Sequence, residues 1–326
     1  MPTVGIPRAL LYYYYFPMWK TFFQELGARV VLSGKTSKTA LDEGVRHVVD
    51  DACLPVKLAF GHVQELKGKV DYLFLPRIVS IAKDEYICPK FLGFPDMVKQ
   101  NIDGLPTVIN MTINLHKGAR QYLNELYKAG RHFTKNPLRI LAAHRKSCLV
   151  QRQYEGLLES GIFPDEAVSR VFKNCESNKP SHADSDFTVA VIGHPYNVYD
   201  SYINMNLLKR LRDMGAAVYT ADNLPEAVVR NQAAWLPKKL FWTLGQRMTG
   251  AAAYYLGEGK VNGIVHLSAF GCGPDSLIGE LIERYARRQG KVPFLNLMLD
   301  EHTGEAGIVT RLEAFIDMVK WRGAQA

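Results

Sequence analysis

No stretch of the 326 residues approaches the roughly eighteen consecutive apolar residues that a membrane-crossing helix needs. The densest apolar run, Ala9 to Phe16, is short and half tyrosine. Cysteine is scarce and odd in number: five residues, which suits reduced or metal-bound thiols better than a disulfide framework. No two cysteines stand at Cys-x-x-Cys spacing, so the tight knuckle of a structural zinc site is missing. There is no Gly-x-x-x-x-Gly-Lys-Ser/Thr phosphate loop, and no glycine-rich dinucleotide fingerprint follows a predicted strand. No nucleic-acid module accompanies the basic residues. The opening residues MPTVGIPRAL lack a basic segment leading into an apolar one, so the sequence predicts a cytoplasmic protein. Acidic side chains are outnumbered, 32 against 40 basic. The 26 glycines and 16 prolines have no period, which excludes collagen-like and repeat architectures.

What is present is enough apolar material, 47% of residues, for two domains with cores of their own. The net charge of +8 is locally concentrated: residues 101–150 carry eight Lys/Arg against two Asp/Glu, and 201–250 carry seven against three. Such a surplus suits an anionic ligand or an acidic protein partner, and solvated helix faces are the plainer account of it.

Short apolar runs ending in Gly or Pro alternate with stretches of helical period, the pattern of parallel α/β units. Strands are predicted at 3–7, 28–32, 70–76 and 105–111, with helices at 10–26, 38–49, 116–129 and 137–160. The polar stretch 174–186 reads as a linker. Beyond it the pattern restarts, with strands at 187–193, 216–220, 261–268 and 292–298 and helices at 202–214, 226–257 (broken near Pro237), 274–289 and 305–320. The predicted fold is α/β: two open parallel-sheet, flavodoxin- or Rossmann-like domains, 1–180 carrying Cys53 and Cys88 and 186–326 carrying Cys272, with a metal-cluster site between them. In such folds ligands sit beyond the carboxyl ends of the strands.

Three cysteines share one local grammar. Cys53 (Asp51-Ala52-Cys53-Leu54-Pro55), Cys88 (Ile87-Cys88-Pro89) and Cys272 (Gly271-Cys272-Gly273-Pro274) each stand at the mouth of a predicted helix with Pro one or two residues on. A helix N-terminus stabilises a thiolate through its dipole and unpaired N–H groups. Three dispersed thiolates fit an iron–sulfur centre with one iron not held by cysteine, and a single catalytic cysteine with a histidine base is the other option. Cys148, inside a predicted helix, and Cys175, in the linker, read as structural or incidental. His62, His194 and His302 are placed in loops near strand ends, where ordinary loop histidines are also common.

Together, Gly5-Ile6-Pro7-Arg8-Ala9-Leu10, Ala52-Cys53-Leu54-Pro55-Val56-Lys57, Gly61-His62-Val63, Ile87-Cys88-Pro89-Lys90, Gly271-Cys272-Gly273-Pro274-Asp275-Ser276 and Asp300-Glu301-His302-Thr303-Gly304-Glu305 carry a resemblance. The chain resembles the activase-related branch of the 2-hydroxyacyl-CoA dehydratase and benzoyl-CoA reductase superfamily, and is similar to the double-cubane cluster proteins. The resemblance implies a cytoplasmic iron–sulfur protein with a cluster on Cys53, Cys88 and Cys272. That cluster is either a [4Fe–4S] cubane with a non-cysteine ligand at its fourth iron or a double-cubane [8Fe–9S] cluster shared across a homodimer. It implies electrons from a separate ATP-hydrolysing activase, for which Lys117, Arg120, Lys128, Arg131 and Lys135, at helical spacing, form a candidate docking face.

Three functions remain open on the sequence. One is a reductive enzyme or its catalytic component acting on a small molecule, with Asp275, His302 and Glu305 as candidate proton donors. The second is a non-catalytic electron carrier or scaffold docking to an activase or a larger subunit. The third is a cluster-free protein that binds an anion on the basic 117–146 region.

Overall fold

The computed structural model describes residues 1–173, 185–257, 260–290 and 292–323. Cys175 and all but the last two residues of the expected linker lie outside the described residues. The chain divides into two compact units. The first comprises Met1–Leu157, Pro164–Cys175 and Phe241–Thr243; the second comprises Leu158–Phe163, Glu176–Leu240 and Leu244–Ala326.

Among the described residues, ten strands form three parallel sheets. In the first unit β1 (Thr3–Ile6), β2 (Arg29–Leu32), β3 (Tyr72–Phe74) and β5 (Thr107–Ile109) assemble in the order β2-β1-β3-β5. The short strands β4 (Arg77–Ser80) and β6 (Thr112–Asn114) form a separate parallel pair. In the second unit β7 (Phe187–Gly193), β8 (Ala216–Thr220), β9 (Gly263–Ala269) and β10 (Phe294–Leu299) run β8-β7-β9-β10. Numbered within each sheet, both four-stranded sheets have the order 2-1-3-4, and every pairing in them is parallel. This is the flavodoxin-like order, with its switch point between the first and third strands. The expected fold class of two parallel-sheet α/β domains is therefore correct.

The buried strands read as near-continuous apolar runs because helices cover both faces; all seven residues of β9 are buried, His266 among them. Gly27 (φ +90°) and Gly215 (φ +94°) end the turns that return helices Tyr12–Glu25 and Leu207–Asp213 to their next strands.

Some elements depart from expectation. The helix expected over 202–214 starts only at Leu207, because Met205 and Asn206 adopt left-handed backbone conformations (φ +53° and +59°) that no helix accommodates. The stripe Lys117-Arg120-Lys128-Arg131-Lys135 is not one helix face. Residues 115–117 form a 3₁₀ turn, Gly118 (φ +88°) breaks the backbone, helix Ala119–Gly130 carries only Arg120 and Lys128, and Arg131 is its C-cap. Lys128 is also paired with Glu125 at 2.6 Å, which reduces the free positive charge of that surface.

Candidate metal centre

A crossover helix in a parallel sheet runs back against the strands, so its N-terminus lies at the carboxyl edge where ligands bind. The three grammar-sharing cysteines all occupy this position. Cys53 is the N-cap of helix Leu54–Leu66, Cys88 of helix Pro89–Asn101 and Cys272 of helix Gly273–Gln289. Each helix has proline at its first or second position, and none of the three side chains makes a capping hydrogen bond. Serine or aspartate at this place would be consumed in capping the first turn. Here a thiol stands there instead, with the partial positive charge of the helix N-terminus behind it. Cys53 and Cys272 are buried and Cys88 is half-buried.

In the first unit the switch point lies between β1 and β3. A small cavity there, about 30 Å³, is lined by Pro7, Leu10, Leu75, Ala59, Phe91 and Phe94 among others. That volume admits one or two waters, and its walls are apolar. At a rise of about 1.5 Å per residue, Cys53 stands roughly 9 Å beyond Ala59 along its helix, and Cys88 roughly 4.5 Å beyond Phe91. Neither cysteine lines the cavity itself; each stands at the N-terminus of a helix that contributes to its wall.

Backbone ties hold the approach to Cys88. Tyr86 donates to Phe241 O (2.7 Å), Thr243 N–H donates to Tyr86 O (3.0 Å), and Ile87 N–H donates to Val79 O (3.0 Å). The Arg77 guanidinium binds Leu92 O and both oxygens of Asp96, each at 2.7 Å, fastening β4 to the Cys88 helix.

The second unit has its switch point between β7 and β9, and the loops that leave these strands carry His194 and Cys272. His194 directly follows β7 and N-caps the one-turn helix Pro195–Val198. A ring nitrogen of His194, the Cys272 sulfur and a carboxylate oxygen of Asp275 lie within 4.8 Å of one another, all buried. His194 Nε2 is 3.1 Å from Asp275 Oδ1, and Asp275 Oδ2 accepts from Ala269 N–H at 3.1 Å. His266, at the centre of β9, is fully buried beneath the Cys272 helix. Burial pushes its pKa down, with Asp275 opposing, so the ring is neutral. Its Nδ1 faces Asn296 Oδ1 at 3.1 Å.

Of the expected proton donors, Asp275 thus stands beside Cys272. His302 and Glu305 are exposed in the loop after β10, where Asp300 Oδ1 accepts from His302 N–H and Thr303 Oγ1 (both 2.8 Å) and Glu305 is ion-paired with Arg210. The residues Asp300 to Glu305 therefore build a closed turn that opens helix Glu305–Gly323.

His62, placed by the sequence in a loop, is inside helix Leu54–Leu66 and fully buried, its Nε2 3.0 Å from Thr36 Oγ1. Cys148 is half-buried in helix Pro137–Glu159, 3.6 Å from His144 Nε2, and burial raises its thiol pKa.

The sequence places His194 in a loop near a strand end, as either a site-lining group or an ordinary loop histidine, and does not single out His266. The signals were present: His194 has the same residue-before-proline grammar as the cysteines, and His266 interrupts an otherwise apolar strand.

The sequence matches the family model described as CoA enzyme activase uncharacterised domain (DUF2229) over residues 3–224, about two thirds of the chain. The matched range includes Cys53, Cys88 and His194 and ends before Cys272. No curated protein matches the chain. No helix among the described residues is long and apolar enough to cross a membrane.

Proposed function

The chain belongs to this family of CoA enzyme activase domains, which links it to the activase and 2-hydroxyacyl-CoA dehydratase superfamily, and from that premise we propose that it is a cytoplasmic iron–sulfur protein, the low-potential reductive component of a system driven by a separate ATP-hydrolysing activase. The observation that carries this reading is the N-cap placement of Cys53, Cys88 and Cys272. Three uncapping thiols at the carboxyl edges of parallel sheets are a donor set for iron rather than three buried hydrophobes.

The donor chemistry fits. Each sulfur has a helix dipole behind it that favours the anionic ligand form. Proline at the first or second helical position presets the first turn, so that the sulfur is aimed before any metal arrives. An iron–sulfur centre bound there would supply one-electron transfer at low potential, as a [4Fe–4S] cubane or as a double-cubane shared across a homodimer. The protein's part is to keep water away, with Cys53 and Cys272 buried. Of the candidate proton donors Asp275 is the carboxyl group beside Cys272, and His302 and Glu305 are turned to solvent.

Anaerobically purified protein should contain iron and acid-labile sulfide. Cys53→Ala, Cys88→Ala and Cys272→Ala should each lose most of both, while Cys148→Ala and Cys175→Ala keep wild-type content. Absence of iron and sulfide from the wild-type protein would overturn the reading. Full iron in any one of the first three variants would remove that cysteine from the ligand set. The activase should reduce the centre only with ATP; a centre that is reduced yet never turns over an acyl-CoA or other small substrate would leave an electron carrier.

A further inference from the structure

At the switch point of the second unit, three buried groups of different donor chemistry converge. His194 Nε2 faces Asp275 Oδ1 at 3.1 Å, and Nδ1 on the other side of the ring is buried without a hydrogen-bond partner. Cys272 lies within the same 4.8 Å group. The neighbours do not close the gap. His266 Nε2 is buried and without a partner, and so are both side-chain polar atoms of Asn197, in the single turn that His194 caps. Leaving a buried polar atom unpartnered costs its desolvation, and native proteins keep few such atoms. Several gathered about the His194–Asp275 pair mark a place built for a bound group.

The pairing also says which ring nitrogen is available to that group. A metal-binding histidine commonly turns one ring nitrogen to a carboxylate and the other to the metal, the carboxylate fixing tautomer and orientation. Asp275 is itself fixed by Ala269 N–H through its second oxygen. With Nε2 toward Asp275, Nδ1 is the nitrogen left with a lone pair and no partner.

We propose that His194 is a nitrogen ligand, through Nδ1, of the iron–sulfur centre held by Cys272, at an iron that no cysteine supplies, and that Asp275 is the positioning residue that orients its ring. This rests on the reading of Cys272 as an iron–sulfur ligand. An imidazole is a neutral ligand where a thiolate is anionic, so it raises the potential of the centre relative to an all-thiolate one.

The test uses the full chain, purified anaerobically with ¹⁵N-labelled histidine and reduced with titanium(III) citrate. Pulsed ENDOR should show one strongly coupled nitrogen, lost in His194→Ala and retained in the exposed control His132→Ala. The wild-type measurement needs no variant to fold, and His194→Gln is the milder substitution should alanine unsettle the unit. His194→Cys should keep the centre and lower its midpoint potential. A wild-type centre with full iron and sulfide but no coupled nitrogen overturns the assignment and leaves the parent reading standing. Wild-type protein without iron and sulfide overturns the parent reading and this one with it.

Discussion

Gly61→Ala is expected to destabilise the first unit by more than about 3 kcal/mol, and on the proposed iron–sulfur reading to lower iron content, although alanine is the better helix former. Helices Lys38–Arg46 and Leu54–Leu66 cross with their backbones in contact. A Cβ on Gly61 would lie 1.7 Å from the carbonyl oxygen of Ala40, and one on Gly44 would lie 1.8 Å from that of Lys57. The two glycines are reciprocal, each admitting the backbone of the other helix. Replacing glycine by alanine within a helix ordinarily gains about 1 kcal/mol. Overpacking that flexible side chains can relieve costs about 1–3 kcal/mol. Here the obstacle is main chain on both sides, so one helix must move bodily. That helix carries Cys53 at its N-cap, so the displacement reaches the thiol. Gly156→Ala is the matched control: an exposed helical glycine with nothing within 4 Å of its would-be Cβ. It should stabilise by about 0.5–1 kcal/mol. Urea unfolding of the three proteins decides the matter, and a Gly61→Ala midpoint within error of wild type would show that the crossing is looser than drawn.

The same segment illustrates what a sequence makes legible. Gly61-His62 stood out as a motif, but its meaning was assigned to a loop, because a close helix crossing depends on Ala40, which is distant in the chain. Features set by local chemistry were readable. β7 and β8 fall on their expected residues, Phe187–Gly193 and Ala216–Thr220, bounded by Gly193 and by the tight turn at Gly215. The helix-mouth position of three cysteines followed from proline alone. Features set by pairing across the chain were not readable. The run VDYLFLP looks like one strand, yet Pro76 has no N–H to give the ladder, and the pairing kinks there into β4 and β6. The excursion of Phe241–Thr243 into the first unit is announced by nothing in its own composition; it exists because Tyr86 offers an open N–H and C=O. The convergence of His194 and Asp275 joins residues 81 positions apart (275 − 194), with only the residue-before-proline grammar of His194 as a hint.

Acid should unfold the first unit through His62. The ring is fully buried in the Cys53 helix, with Nε2 on Thr36 Oγ1 and Nδ1 without a partner. Burial first, and the nearby Arg8 guanidinium second, push its pKa from 6.5 down to about 4. The folded state therefore favours the neutral ring, and the unfolded chain binds a proton at higher pH than the folded one does. It follows that the stability from the neutral ring is fully present above pH 6.5 and is lost progressively as the pH falls through that value to about 4. At about 1.4 kcal/mol per pH unit over that window, the loss is about 3 kcal/mol, a large part of the few kcal/mol that keep a domain folded. His266 shifts in the same direction for the same reason and adds to the slope from the second unit. His62→Gln retains a polar partner for Thr36 and cannot titrate. Unfolding free energies measured by urea at pH 7.5, 6.0, 5.0 and 4.0 should fall steeply in the wild-type chain and distinctly less in the glutamine variant. Parallel curves for the two proteins would mean that His62 accepts its proton within the fold, and that the acid sensitivity lies elsewhere.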